Sequence, residues 1–150
     1  MAALQNDDLR YLVFFSSVSA RMGNPGQADY AMANEALNKI AAQQAGLRPQ
    51  CKVVAINWGP WDGGMVTPAL KRSFEGNGIR LIPIDQGAAA MVAEMGAPRD
   101  AGVEVVIGRR DLLGDVAAAL PSVAGEGPAG VEAESLTLAR HARLAAMLEG

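Results

Sequence analysis

Three short apolar runs, each rich in β-branched or aromatic residues, divide the chain. They are "RYLVFFS" at 10–16, "CKVVAINW" at 51–58 and "VEVVIG" at 103–108. Continuous apolar runs of this length, bounded by serine, glycine or proline, are typical of strands buried on both faces of a parallel sheet. We therefore predict three buried strands at these positions.

The segment between the first two strands has a helical pattern. The stretch "SARMGNPGQ" carries Asn-Pro-Gly turn chemistry, and residues 28–45 after it favour helix. Gly46 is the predicted C-terminal stop, with Pro49 just beyond it. One face of this helix would carry, at helical spacing, Tyr30, Ala33, Asn34, Leu37 and Ala41.

Two further helices are predicted after the second strand. One covers residues 67–74, with Thr67 as N-cap and Pro68 at the first helical position. The other covers residues 85–95 and has an acidic cap, Asp85. Strands that alternate with helices pair in parallel through right-handed crossovers. Residues 1–110 are therefore predicted to hold an α/β layer of three strands with flanking helices.

Beyond residue 110 the composition changes. Residues 121–130, "PSVAGEGPAG", contain three glycines and two prolines, which is typical of a linker. The letters "GEGPAG" match the G-x-G-x-x-G dinucleotide fingerprint, but that motif requires a strand before it and a helix after it, so we interpret it as linker. Residues 131–150 predict an amphipathic helical tail, which either packs on the domain, leads to a neighbour or is a plain surface helix. Residues 111–150 thus form the second predicted region, a linker and a C-terminal helix.

Composition excludes several classes of function. The net charge is -3 and the basic residues are scattered, so no stripe of charge indicates nucleic acid. Cys51 is the only cysteine and His141 the only histidine, so we expect no metal site and read Cys51 as a small buried hydrophobe. No apolar stretch approaches the roughly 20 residues that span a bilayer, and the N-terminus does not resemble a signal peptide. We expect a cytoplasmic protein with no membrane partner.

The candidate chemistry lies around the first strand and the helix after it. Ser17 ends the strand at the carboxyl edge of the sheet, where open α/β folds bind ligands. Tyr30 and Asn34 are four residues apart on the next helix, so they face the same way with Cβ atoms about 5–6 Å apart. These three side chains suit carbonyl reduction: the phenol donates a proton to the carbonyl oxygen as hydride reaches carbon, and the serine orients that oxygen. Taken singly, a tyrosine on an apolar helix face is more often core, and a serine at a strand end more often a turn residue.

This Ser-to-Tyr spacing resembles the short-chain dehydrogenase/reductase superfamily. More narrowly, "FFSSVSARMGNPGQADYAMANEALNK" and "INWGPWDGGMV" resemble the ketoreductase domain of modular polyketide and polyunsaturated fatty acid synthases. The resemblance covers residues 8–110. It implies the C-terminal half of a Rossmann-type doubly wound parallel sheet, and the reduction of β-ketoacyl chains on an acyl carrier protein with NADPH.

The resemblance also implies a role for each matching residue. Tyr30 would be the proton donor, Ser17 the substrate-orienting hydroxyl, and Asn34 stands where most of the superfamily has lysine. The stretch "NWGPW" would pass the nicotinamide and lead into a lid, although Trp58 and Trp61 could equally pack under the loop. Met22, eight residues before the tyrosine, stands where one ketoreductase type has tryptophan, which favours a D-hydroxyl product. The implied cofactor-binding residues are Ser16, Tyr30, Asn34, Asn57, Trp58, Gly59 and Pro60.

Two elements of such a site are not found in this sequence. Only sixteen residues precede Ser17, and they contain neither a lysine nor the glycine-rich pyrophosphate turn. Lys39 lies nine residues after Tyr30 and would be displaced and rotated away from it, while Arg10 and Arg21 lie at the wrong family positions. The first strand, central in a whole domain, would here be an exposed apolar edge. The sequence leaves open a split protein, a truncated gene or a cropped piece.

Two hypotheses from different classes follow. In the first, the chain is the catalytic C-terminal half of an NADPH-dependent β-ketoacyl reductase, inactive without its N-terminal half or the neighbouring synthase domains. In the second, it is a non-catalytic reductase remnant that serves as a structural or docking module.

Overall fold

The fold is a parallel sheet with helices on both faces. The computed structural model describes residue 4, residues 7–108 and residues 142–146. The strands are β1 (Tyr11–Ser17), β2 (Lys52–Trp58), β3 (Glu104–Gly108) and β4 (Ala142–Ala146), in the sheet order β1-β2-β3-β4. Every neighbouring pair is parallel. The predicted α/β class and the three predicted strands are confirmed.

The fourth strand corrects the prediction of a helical tail. Residues 142–146 pair with β3 along its whole length, from Glu104↔Ala142 to Gly108↔Ala146. Helix propensity is a weak prior that tertiary context overrides, and β3 would otherwise leave a row of backbone groups unpaired at its outer edge. The predicted linker, the "GEGPAG" match and the rest of the predicted tail helix lie outside the described residues.

Four helices connect the strands in the described part of the chain. They are α1 (Ser19–Met22), α2 (Ala28–Leu47), α3 (Pro68–Gly76) and α4 (Ile84–Gly96). Thr67 caps α3 as predicted, because its side chain accepts a hydrogen bond from the Leu70 amide at 3.3 Å. The predicted stop at Gly46 is wrong: α2 continues to Leu47, since a glycine without positive φ is compatible with helix.

The predicted cap of α4 is wrong by two residues. Pro83 occupies the N-cap position, and Asp85 lies within the first turn. A carboxylate there still interacts favourably with the positive end of the helix dipole. Between α1 and α2 the predicted turn is present, with Gly26 at φ 78° and the Gln27 amide donating to the Asn24 carbonyl at 2.9 Å. A positive φ at the third turn position is the reason glycine stands there.

The two faces of the sheet have different cores. On the α4 face, the buried side chains are Val54, Ile56, Trp58, Ile82, Val105 and Ile107, against which Ala90 and Met91 of α4 pack. On the α2 face, the apolar core is smaller and consists of Ala41, Cys51, Val53 and Ala55. The expectation that Cys51 is a buried small hydrophobe is confirmed; burial raises the pKa of its thiol despite the nearby charges of Arg48 and Arg99.

Strand β1 lies at one edge of the described sheet, as the sequence predicted. It pairs with β2 alone among the described strands, and its Tyr11 and Phe15 side chains are 43% and 54% exposed. None of the described helices is both long enough and apolar enough to cross a membrane. The location of the protein in the cell stays a prediction.

Candidate active site

Two consecutive serines end β1 and are buried. Ser17 is the last strand residue and is 7% exposed; its Oγ accepts a hydrogen bond from the Ser19 amide at 3.2 Å. The Val18 amide, directly after Ser17, donates to the Trp58 carbonyl at 3.0 Å. This bond fixes the direction of the chain where β1 ends. The Ser17 hydroxyl is therefore held at the carboxyl edge of the sheet, immediately before α1.

The first two turns of α2 carry the other two predicted catalytic residues. Tyr30 is the third residue of the helix and is 42% exposed, whereas Asn34 is 7% exposed. The Asn34 amide Nδ2 donates to the Tyr30 carbonyl at 2.8 Å. The phenol is thus accessible to a substrate, and the amide fastens the helical turn that carries it.

A hydrogen bond joins the strand end to this helix. The Ser16 Oγ donates to the Asn34 carbonyl at 3.1 Å and is also 3.1 Å from the Asn57 Oδ1; a hydroxyl has one proton, so it is shared between the two acceptors. The structure thereby brings the Ser16–Ser17 end of β1 against the second turn of α2, one turn from Tyr30. The catalytic roles assigned to Ser17, Tyr30 and Asn34 stay predictions.

The basic side chains nearest to the candidate site in the sequence contact groups other than the Tyr30 phenol. Arg21 forms ion pairs with Glu35 and Glu104, and Lys39 pairs with Glu35 at 2.8 Å with its side chain 66% exposed. Arg10 lies over the Tyr11 ring, with its guanidinium carbon 5.9 Å from the ring centroid. A cation that assists the phenol would therefore come from outside these groups.

The predicted cofactor segment at the end of β2 is tightly held. Asn57 is fully buried, and its side chain contacts protein groups on α2 and β3. The Gly59 amide donates to the Ile107 carbonyl at 2.8 Å, and the Pro60 carbonyl accepts from the Ile82 amide at 2.8 Å. The contacts predicted for these residues with a cofactor stay predictions.

The two tryptophans pack together. Trp58 is 5% exposed and lies edge-on to Trp61, with ring centroids 4.7 Å apart; the Phe15 ring centroid is 5.7 Å from that of Trp58. Trp61 also contacts α4 at Gly87, where an added Cβ would lie 2.4 Å from the indole ring. The structure thus shows the packing alternative, and a lid role for the pair stays a prediction.

The loop after β2 is tied to α3 by an ion pair. The Lys71 Nζ donates to both oxygens of Asp62, at 2.7 and 2.8 Å, and this hydrogen bond raises the pKa of Lys71. Because both side chains are solvent-exposed, water screens the pair and it contributes little to stability.

The described residues fit only one end of a nicotinamide dinucleotide. Ser17 ends β1 at the carboxyl edge of the sheet, and the adjacent Ser16 is hydrogen-bonded to Asn34, one helical turn from Tyr30; the nicotinamide end would bind at this edge. No residue before Ser17 supplies a glycine-rich turn for pyrophosphate. No group of three metal-ligating side chains is found in the described part of the chain.

Sequence reasoning missed a ring of polar side chains beneath α2, which we call the polar ring. Its hydrogen bonds run from Asn38 to Asn57, to Glu104, to Arg21, to Glu35 and back to Asn38. Burial acts to raise the pKa of Glu35, but hydrogen bonds from Lys39 and Asn38 and the charge of Arg21 outweigh it and lower that pKa. One signal was available in the sequence: Asn57 interrupts the apolar run of residues 53–58 in the buried strand β2.

Comparison with known proteins finds the KR domain family and several synthases. Residues 1–63 match the KR domain family. The chain is 51% identical over 81 residues to a polyunsaturated fatty acid synthase protein of Thraustochytrium sp., a match that covers 54% of this chain and 3% of that protein. It is 39% identical over 95 residues to a phenolphthiocerol/phthiocerol polyketide synthase protein of Mycobacterium tuberculosis, covering 61% of this chain and 4% of that protein. The chain thus spans a very small part of these relatives.

The similar solved structures are also ketoreductases. An N-terminal ketoreductase from the macrolactin assembly line superimposes with a TM-score of 0.55 and 29% identity, covering 69% of this chain and 19% of that one. A C2-type ketoreductase from a modular polyketide synthase superimposes with a TM-score of 0.54 and 30% identity, covering 71% of this chain and 23% of that one.

Proposed function

We propose that this chain, which belongs to the KR domain family as a fragment of such a domain, supplies the substrate side of an NADPH-dependent β-ketoacyl reductase. The reaction would convert a β-keto thioester to a β-hydroxy thioester in polyketide or fatty acid biosynthesis. The observation that carries the proposal is the hydrogen-bonded junction between the serine end of β1 and the helical turns that carry Asn34 and Tyr30.

In this proposal the chain's residues act on the carbonyl oxygen. The bound NADPH supplies a hydride to the β-carbon. Tyr30 donates its phenolic proton to the oxygen that becomes the hydroxyl, and Ser17 donates a hydrogen bond that orients the same oxygen. The exposure of Tyr30 supports this role, because a proton donor must reach a substrate. The tyrosinate formed regains a proton from solvent, so the products are the alcohol and NADP⁺.

The site needs a cation, and the basic residues closest to Tyr30 in the sequence are engaged by other groups. A free tyrosine phenol has a pKa of about 10, and a nearby positive charge favours release of its proton at neutral pH. Arg21 and Lys39 are both engaged by carboxylates. We infer that an upstream ketoreductase half supplies this charge together with the pyrophosphate turn, and that the 150 residues alone have no significant turnover.

The proposed partners follow from the class of reaction. The substrate would be a β-ketoacyl chain on an acyl carrier protein, delivered among neighbouring synthase domains. Met22 in place of tryptophan favours a D-hydroxyl product, which chiral analysis of the reduced thioester would test.

Completion of the domain tests the proposal. The 150-residue chain and a separately expressed upstream ketoreductase half are assayed alone and together for NADPH oxidation with a β-ketoacyl thioester. We expect turnover only in the mixture. Turnover by the 150-residue chain alone would contradict the inferred division of the site, and a folded mixture that binds NADPH without reducing any β-keto thioester would contradict the reductase function.

A second candidate function is a non-catalytic structural or docking module. The exposed Phe15 and Tyr11 side chains on the edge strand β1 favour it, because an unpaired apolar edge promotes association with another chain. In the same experiment this module would form a stable complex with the upstream half that remains inactive.

A further inference from the structure

The polar ring joins four elements around the candidate site. The Asn38 Nδ2 donates to the Asn57 Oδ1 at 3.0 Å and to the Glu35 Oε2 at 3.0 Å. The Asn57 Nδ2 donates to the Glu104 Oε1 at 2.9 Å. Arg21 closes the ring, with its Nε donating to the Glu104 carboxylate and its Nη2 lying 2.9 Å from the Glu35 Oε2. Side chains from α1, α2, β2 and β3 thus form one continuous circuit.

This circuit occupies positions where apolar packing is the usual solution. Asn57 is 0% and Asn38 is 3% exposed, and the side chains of Arg21 and Glu104 are 17% and 12% exposed. Removing charged and polar groups from water is costly, and well-packed apolar replacements of buried ion pairs are often equally stable or more stable. Stability alone therefore gives no reason for the ring. A directional network does, because its hydrogen bonds form together in one arrangement of its elements only.

The polar ring links the segments that carry the two proposed catalytic residues, Ser17 and Tyr30. Arg21 lies four residues after Ser17, on α1, and Glu35 lies five residues after Tyr30, on α2. Helix α1 has four residues and no buried side chain, so it has no core of its own to set its orientation. The Arg21 ion pairs join it to Glu35 of α2 on one side and to Glu104 of β3 on the other.

We propose that Arg21 is a positioning residue of the reductase site: by bridging Glu35 and Glu104 it holds α1 against α2, and so sets the placement of the Ser17 hydroxyl relative to the Tyr30 phenol. This inference rests on the proposed function for its effect on turnover, while the placement itself is a property of the chain. An arginine suits the task because its planar fork reaches two carboxylates in fixed directions, which a lysine ammonium does not.

The first arm of the test observes Tyr30 directly. The chain has two tyrosines, so in a Tyr11→Phe background 3-fluorotyrosine labels position 30 alone, and its ¹⁹F NMR signal reports the surroundings of that ring. We expect Arg21→Met to shift or broaden the signal. Arg21→Lys should change it less, so that its signal lies between those of the unsubstituted chain and Arg21→Met. The matched control is Arg48→Met, which removes an arginine at the far end of α2 that contacts Gln44 and the Asp7 carbonyl; its signal should stay in place.

The second arm measures turnover in the reductase completed with the upstream half. Because misplacement of reacting groups by about 1 Å costs up to about 100-fold in rate, we expect Arg21→Met to lower kcat about 10- to 100-fold at an unchanged KM for NADPH. Arg21→Lys should recover part of the loss, and Arg48→Met should keep normal kcat.

The two arms separate the inference from the function on which it rests. If the completed enzyme is inactive before any substitution, the proposed function fails, and the NMR signal still decides the placement. The inference is overturned if Arg21→Met leaves the Tyr30 signal unchanged, or if its kcat loss is matched by that of Arg48→Met. Should Arg21→Met fail to fold, Arg21→Lys alone decides, since a normal signal and a normal kcat in that variant contradict a need for the forked contact.

Discussion

The two faces of the sheet are built on different principles. The α4 face has an apolar core in which Ile56 and Ile107 are fully buried. The edge-on pair of Trp58 and Trp61 packs in the same core. The α2 face has a smaller apolar core, and next to the candidate site it is joined by hydrogen bonds among Ser16, Asn38 and Asn57. Apolar packing has no preferred direction, whereas hydrogen bonds do. We infer that the first face supplies most of the stability and the second sets the geometry of the site.

The largest expected effect is on the α4 face. Ile56→Ala removes a fully buried side chain from the core of that face, and we expect it to lower the free energy of unfolding by about 2–5 kcal/mol in urea titrations. The control is Val92→Ala on α4, where the side chain is 63% exposed and the change should stay within about 0.5 kcal/mol. An Ile56→Ala loss below about 1 kcal/mol would contradict the assignment of stability to this face.

A second substitution tests how closely the same face is packed. Gly87→Ala places a Cβ 2.4 Å from the Trp61 ring, so the ring or the helix must move. We expect a loss of about 1–3 kcal/mol in unfolding free energy, together with a changed tryptophan emission spectrum. Gly96→Ala in the same helix meets no atom within 4 Å and should be neutral or slightly stabilising. Equal behaviour of the two variants would show that the Trp61 contact is loose.

The smallest effect belongs to the α2 face and depends on pH. The pKa of Glu35 is lowered from 4.5 in the folded chain, because hydrogen bonds from Lys39 and Asn38 and the charge of Arg21 outweigh its burial. A carboxyl with a lowered folded pKa contributes stability that is complete above its unfolded pKa and is lost as the pH falls through the folded pKa. We therefore expect Glu35→Gln to cost about 1 kcal/mol or less at pH 7, and this cost to shrink below pH 4.5.

The two faces also give the control for this titration. The cost of Ile56→Ala involves no proton, so its difference from the unsubstituted chain should not follow the pH dependence seen with Glu35→Gln. Unfolding in urea at pH 7, 5, 4 and 3 would measure both differences side by side. A Glu35→Gln cost that grows as the pH falls would contradict the lowered pKa of Glu35.

The apolar face was largely predictable from the sequence, and the polar face was not. Continuous runs such as "VVAINW" identify buried strands because burial on both faces leaves little room for polar side chains. The helix α2 was predicted, and Asn34 and Ala41 of its predicted face are buried, but the buried Asn38 and Gln44 were not identified. A pattern that treats polar residues as exposed cannot find a helix face held by hydrogen bonds.

The other features that the sequence did not predict depend on contacts between residues far apart in the chain. Residues 142–146 have helix-favouring composition and lie in a strand, because pairing with β3 over a long sequence separation decides their conformation. The junction of β1 and α2, where the sequence places the candidate site, is present in the structure, and it was predictable because the two elements are close in sequence. Arg21, by contrast, acquires its role through Glu104, a residue 83 positions away, and no local pattern contains that information.

The phenol of Tyr30 tests the central claim most directly. In the reductase completed with the upstream half, kcat for a β-ketoacyl thioester is compared between Tyr30→Phe and Tyr11→Phe, each of which removes one of the chain's two phenolic hydroxyls. Loss of a general acid typically costs about 100- to 10,000-fold, so we expect a decrease of that size for Tyr30→Phe and normal turnover for Tyr11→Phe. Normal turnover by Tyr30→Phe would show that its phenol is not the proton donor.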